Sequence, residues 1–146
     1  MAHPAQDSPS SPTAGGTRSF ADAVERWRHA GRKIRIGCDP DEPRHIDRYL
    51  QLAHELHRQH GLPCWDLHVR CAGLLLNTAD DRALPMHWRC LCVDALHKPL
   101  AILAEHAGSE ARRRHLSQLR WRMARLDLDP AHSLHARALS SPWPDE

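Results

Sequence analysis

The spacing His57-x2-His60-x3-Cys64-x3-His68 sets three imidazoles and a thiol along one short stretch. Residues three and four apart share a helical face. His57 and His60 therefore form one pair, and Cys64 and His68 another. Gly61-Leu62-Pro63 between them reads as a tight hairpin that would bring the pairs together. Imidazole nitrogen and thiolate sulfur suit zinc, and four such ligands complete a tetrahedron. Iron or haem is the other group the set could handle, and Cys71, one turn further on, could replace one ligand. No other part of the sequence requires a cofactor. Packing competes with this chemistry. A histidine in a last helical turn interacts well with the negative helix end, and one on an apolar face is commonly a hydrogen-bonded core residue. The paired short spacings of zinc fingers are absent.

A second stretch, Cys38-Asp39-Pro40-Asp41-Glu42-Pro43-Arg44, concentrates carboxylates and prolines. Prolines are welcome in a first helical turn. Asp39 or Asp41 can cap free backbone N–H groups there, and acids suit the positive end of a helix. The stretch reads first as a helix start. A calcium loop would need more oxygen ligands and a longer turn. Elsewhere, Asp94-x-x-His97 reads as a surface ion pair. Cys90-x-Cys92 is not a redox pair, because residues two apart on a helix face different sides. Arg112, Arg113, Arg114, Arg120, Arg122 and Arg125 surround Trp121. They could grip phosphate while the ring stacks on a base. They are spread around the helix rather than set in one stripe, which favours solvated ion pairs.

These residues must be positioned by helices, since no segment alternates with period two. Phe20, Val24, Trp27, Ala30 and Ile34 recur at helical spacing, with Ser19 as the expected N-cap and Gly37 as the stop. Ile46, Tyr49, Leu50, Ala53 and Leu56 draw a second helix, ended at Gly61. Trp65, His68, Val69, Ala72, Leu75 and Leu76 draw a third, expected to break at Asn77-Thr78-Ala79-Asp80-Asp81. Pro85 opens a fourth carrying Trp88, Leu91, Cys92 and Leu96, which Pro99 must kink or end. Ser109 opens a fifth, and Asp129-Pro130 looks like the start of a short last helix. The expectation is an all-α protein: a compact bundle or stacked antiparallel hairpins of about five helices. Residues 1–17 are expected to be a disordered tail, 18–139 a single helical domain and 140–146 a loose end.

The chain has 146 residues, 41% hydrophobic and 26% charged, which fits one globular domain. A net charge of +2 is too small to imply nucleic acid or an anionic membrane as partner. Five cysteines without a regular framework suit a reducing compartment. The first residues carry no apolar core of a secretory signal, and the apolar runs are too short to span a bilayer. A cytoplasmic protein is expected.

Two strings together resemble a known family. One is Cys38-Asp39-Pro40-Asp41-Glu42-Pro43-Arg44-His45-Ile46 followed by Tyr49-Leu50. The other is Leu74-Leu75-Leu76-Asn77-Thr78-Ala79-Asp80 with Leu84-Pro85-Met86-His87-Trp88-Arg89-Cys90-Leu91-Cys92-Val93-Asp94. They are similar to the FagA proteins of pseudomonads and relatives, over about residues 25 to 104. That family is encoded beside a fumarase that needs no iron–sulfur cluster and a manganese superoxide dismutase, in a cluster switched on by iron starvation. The resemblance implies an all-helical accessory protein of the iron-limitation and oxidative-stress response, without a catalytic mechanism. It makes another protein the expected partner, with a product of the same gene cluster as a candidate. A stiff acidic knob of Asp39, Asp41, Glu42 and Arg44 would then meet that partner. His87, Trp88 and Arg89 would form a matching exposed patch, since Trp and Arg are favoured interface anchors. Trp88 also falls on the apolar face of its helix, where core packing is the competing role.

Overall fold

The computed structural model describes residues 14–128, which form six helices. They are α1 (Ala14–Arg35), α2 (Arg44–His60), α3 (Cys64–Asp80), α4 (Met86–Ala95), α5 (His97–Glu105) and α6 (Glu110–Ala124). No strand occurs among the described residues. The all-α expectation therefore stands, and the expected fourth helix is the one that is divided. Only Leu96 separates α4 from α5. Pro99, the third residue of α5, has no N–H to offer the carbonyl of Ala95, so the ladder breaks one turn before it.

Two helix boundaries differ from the sequence reading. α1 begins at Ala14, so Ser19 lies inside it rather than capping it. The first apolar residue of a face need not be the first helical residue, because backbone bonding needs no apolar side chain. α3 runs on through Asn77, Thr78 and Ala79 to Asp80. There the Thr78 hydroxyl donates to the Leu74 carbonyl at 2.7 Å. That bond satisfies a hydroxyl which is otherwise fully buried. The short helix expected from Asp129-Pro130 and the end at 140–146 lie outside the described residues, as do residues 1–13.

The remaining boundaries follow their local chemistry. Gly61 takes a left-handed φ of 67° after α2. Its N–H donates to the His57 carbonyl at 3.1 Å, the bond of an αL ending, and the Leu62 N–H donates to Leu56 at 3.4 Å. Gly37 ends α1 with φ 59°. A Cβ at Gly37 would also stand 3.0 Å from Leu84 Cδ2. Ser109 caps α6, its Oγ accepting from the Arg112 N–H at 3.2 Å.

α3 packs against every other helix. Asp66, Arg70 and Asp80 are its only charged residues, and His68 is its only histidine. Leu67, Cys71, Ala72, Leu75 and Leu76 are buried in it, against Trp27 and Ile34 of α1 and Tyr49, Ala53 and Leu56 of α2. Each fully buried leucine contributes about 1.5–3 kcal/mol. α4 and α5 close the other side with Trp88, Cys92, Leu96 and Leu103. α1 lies close on this core because Gly31 has no side chain. A Cβ there would meet Leu74 Cδ1 and Tyr49 Cε2, each at 3.0 Å.

Candidate functional site

The corner between α1 and α2 holds the acidic stretch. α2 starts after Pro43, and no side-chain cap from Asp39 or Asp41 forms. Glu42 takes that work instead. Its Oε1 accepts from the Arg44 N–H at 3.1 Å, and its two oxygens receive Arg44 Nε at 2.9 Å and Nη2 at 2.8 Å. The guanidinium hydrogen bonds, then the backbone one, hold the Glu42 carboxyl at about 2, well below the ordinary carboxylate range. A proline in the cap position has no side-chain oxygen, and Glu42 reaches over it from the residue before.

Asp39 and Asp41 are left to the surface. Asp41 Oδ1 stands 3.0 Å from His87 Nε2, with the Asp41 side chain 89% exposed. Asp39 lies 3.9 Å from His45 Nε2. Of the residues expected in a docking patch, the structure thus joins Asp41 to His87 and Glu42 to Arg44.

Trp88 and Arg89 are not part of that patch, which corrects the sequence expectation. Successive residues on a helix point about 100° apart, so His87 faces out while the next two face in. Trp88 is fully buried, its Nε1–H donating to the Ile34 carbonyl at 3.0 Å. Arg89 is 3% exposed. Its Nε donates to the Ala79 carbonyl at 2.6 Å and its Nη2 to the Asp127 carbonyl at 2.9 Å. The two residues bolt α4 to the ends of α1, α3 and α6.

The sequence missed Ile36. It is 67% exposed, more than Phe20 or Trp121, the other exposed large hydrophobics among the described residues. It stands between the last turn of α1 and the left-handed Gly37, where its N–H still bonds to the Arg32 carbonyl at 3.1 Å. The signal was available: an apolar residue just before a helix-ending glycine falls off the buried face set by Trp27 and Ile34.

Each member of the histidine–cysteine group has a local partner. His57 Nδ1–H donates to the Leu62 carbonyl at 2.8 Å and so pins the hairpin. His60 packs its ring against Phe20, centroids 5.3 Å apart. Cys64 and His68 do meet, Sγ to Nδ1 at 3.5 Å, but the same Nδ1–H donates to the Cys64 carbonyl at 2.7 Å. Among the described residues no three His, Cys, Asp or Glu side chains are gathered to hold a metal ion. Cys71, the alternative ligand, is buried, and burial pushes its thiol up to about 12. Its sulfur neighbours are the Tyr49 hydroxyl and the Trp27 indole.

His68 is buried, which lowers its pKa below the ordinary 6.5, and the nearby His54, His57 and His106 add to this against the Cys64 carbonyl. The unfolded chain therefore takes up a proton at a pH where the folded one does not. The stability contributed by neutral His68 is complete above about 6.5 and is lost as pH falls through the lower folded value. His68→Gln is expected to flatten the decline in denaturant-measured stability between about pH 7 and about pH 5. Equal slopes for the two proteins would dismiss this role.

Two other readings of the sequence find their partners. His97 Nδ1–H donates to the backbone carbonyl of Asp94, so this pair is a helix-end bond and not the expected carboxylate ion pair. On α6, Arg113 and Arg114 reach Glu110 at 3.1 and 3.9 Å, and Arg122 donates to Asn77 at 2.8 Å. Arg125 lies over Trp121 at 4.4 Å. The arginines point several ways around the helix, as their spacing indicated.

No family model matches the chain, and no curated protein or solved structure matches it either. Among the described residues no helix is long and apolar enough to cross a membrane.

Proposed function

We propose that this chain is a non-enzymatic accessory protein that binds another protein through the corner between α1 and α2. The observation that carries the reading is Ile36. A large apolar side chain, 67% exposed, stands within a few residues of the exposed carboxylates Asp39 and Asp41 on a turn stiffened by Pro40, Pro43 and the Glu42–Arg44 pair. An apolar anchor ringed by charge is the anatomy of a small docking patch. A rigid corner also loses little conformational entropy on binding. The complementary partner surface is an apolar pocket rimmed by Arg or Lys.

The resemblance of the 38–50 and 74–94 strings to the FagA family supports a setting in the iron-limitation response, in a soluble compartment of the cell, with a product of the same gene cluster as the partner. The test is an affinity capture from iron-starved cells with three baits: the wild type, Ile36→Ser/Asp41→Asn and Glu42→Gln. One protein species is expected with the wild type and with Glu42→Gln, and is expected to be lost with the double variant. The wild type and Ile36→Ser/Asp41→Asn should melt alike, because exposed changes of this kind cost about 0.5 kcal/mol or less. Glu42→Gln, which weakens the bonds at the start of α2, should be less stable and still fold. Retention of that species by the double variant, or no species above an unrelated bait, would end the proposal.

A further inference from the structure

A groove of about 360 Å³ opens where α1, α2 and α3 meet. Arg28, Arg32 and Arg35 of α1 and Arg70 of α3 line it. Its floor is apolar: Trp27, Tyr49, Leu74 and the bare backbone of Gly31. The Trp27 and Tyr49 rings lie parallel, 4° apart in plane and 5.7 Å between centroids. Both are buried, at 6% and 3% exposure, so the floor is fixed rather than mobile.

The charges around the groove do not balance. Arg32 is engaged by Glu25 at 2.7 Å and Arg35 by Asp81 at 2.7 Å. Among the described residues Arg28 and Arg70 form no salt bridge or hydrogen bond, although Arg28 lies near enough to lower the Glu25 carboxyl and Arg70 near enough to act on the Tyr49 hydroxyl. Four guanidiniums against two carboxylates leave a surplus of two positive charges at one small opening. Like charges brought together on a folded surface repel, and a bound anion relieves that repulsion. Guanidinium groups match the paired oxygens of phosphate and carboxylate.

From this juxtaposition we infer that the groove is a binding site for a small organic dianion: a planar apolar body on the floor, with its anionic head held between Arg28 and Arg70. The volume lies at the low end of the range for small-molecule sites, about 300–1,000 Å³, and so suits a single ring and its head group. A phosphate monoester carries close to two negative charges at neutral pH, and an aromatic dicarboxylate carries the same. Both answer the surplus, and the groove takes either as a member of one ligand class. Gly31 is part of the site, because any side chain there would fill the space between Leu74 and Tyr49.

The test uses the full chain and four probes: phenyl phosphate, phthalate, inorganic phosphate and benzyl alcohol. Binding is followed by calorimetry and by the amide resonance of Gly31 with the indole N–H resonance of Trp27. At least one aromatic dianion is expected to bind about tenfold more tightly than inorganic phosphate or benzyl alcohol, and to move both resonances. The stronger of the two identifies the head group. Arg28→Gln/Arg70→Gln is expected to weaken that binding by about tenfold or more at unchanged melting temperature, while Arg113→Gln/Arg114→Gln on α6 leaves it unaltered. The proposal is overturned if neither aromatic dianion binds, if inorganic phosphate binds equally well, or if the α6 variant weakens binding as much as the groove variant. Resonance shifts that leave Gly31 and Trp27 unmoved overturn it as well, whether or not the double variant folds.

Discussion

Trp88→Ala is expected to lower the unfolding free energy by about 3–5 kcal/mol, the usual cost of emptying a buried aromatic site. Trp88 is among the largest fully buried side chains, and it is the bolt between α4 and the end of α1. Trp88→Phe separates the two parts of its role. Phenylalanine keeps most of the packing and loses the Nε1–H bond, and should cost only about 1 kcal/mol. The Ile34 carbonyl would not be orphaned, because it also accepts the Gly37 N–H at 3.1 Å. Denaturant unfolding with both variants reads the two values. A Trp88→Phe cost as large as that of Trp88→Ala would mean that the bond, and not the ring, does most of the holding. The loss should also reach the proposed docking corner, since the indole stands 3.7 Å from where a Gly37 Cβ would be. With the bolt gone, Ile36 and the acidic turn should show faster amide exchange than the centre of α3.

The same residue shows what was legible in the sequence and what was not. Helical period put Trp88 on a buried face with Cys92, and the structure agrees. What suggested docking was its company, His87 and Arg89, in a basic and aromatic triplet. Adjacency in sequence is a poor guide on a helix, where neighbours diverge by about 100°. Helix ends at Gly37 and Gly61 were readable because only a residue without Cβ takes that backbone cheaply. The end of α3 was not, because Asn77 and Thr78 look like breakers until the Thr78 hydroxyl is seen to bond back to Leu74. The four-ligand spacing from His57 to His68 was equally real as a pattern. Each histidine nevertheless found a nearer partner: a loop carbonyl, an aromatic ring, or the carbonyl four residues earlier. The arginine groove was hidden for the opposite reason. Arg28, Arg32 and Arg35 lie off the apolar face that the sequence draws for α1, and only the fold brings Arg70 to them.

Arg89 yields the second large effect. A guanidinium at 3% exposure is sustained by carbonyls at two helix ends: Ala79 near the end of α3 and Asp127 beyond α6. The negative end of a helix is a favourable place for a cation, and Asp81 lies close enough to feel its charge. Arg89→Leu removes the charge and both donors at similar volume. It leaves two carbonyls without their present partner, at about 1–3 kcal/mol for each that water cannot reach. A total near 2–4 kcal/mol is expected, and amides around Asp127 should lose protection before those of α2. Arg89→Lys keeps the charge, yet a single ammonium has no planar fork to span both carbonyls. It should recover less than half of the loss. If lysine instead restores wild-type stability in denaturant, charge at the end of α3 is what matters and the two-carbonyl clamp is incidental. If both variants cost under about 1 kcal/mol, the buried arginine is no bolt at all, since loss of a buried donor to charged or carbonyl partners exceeds that value.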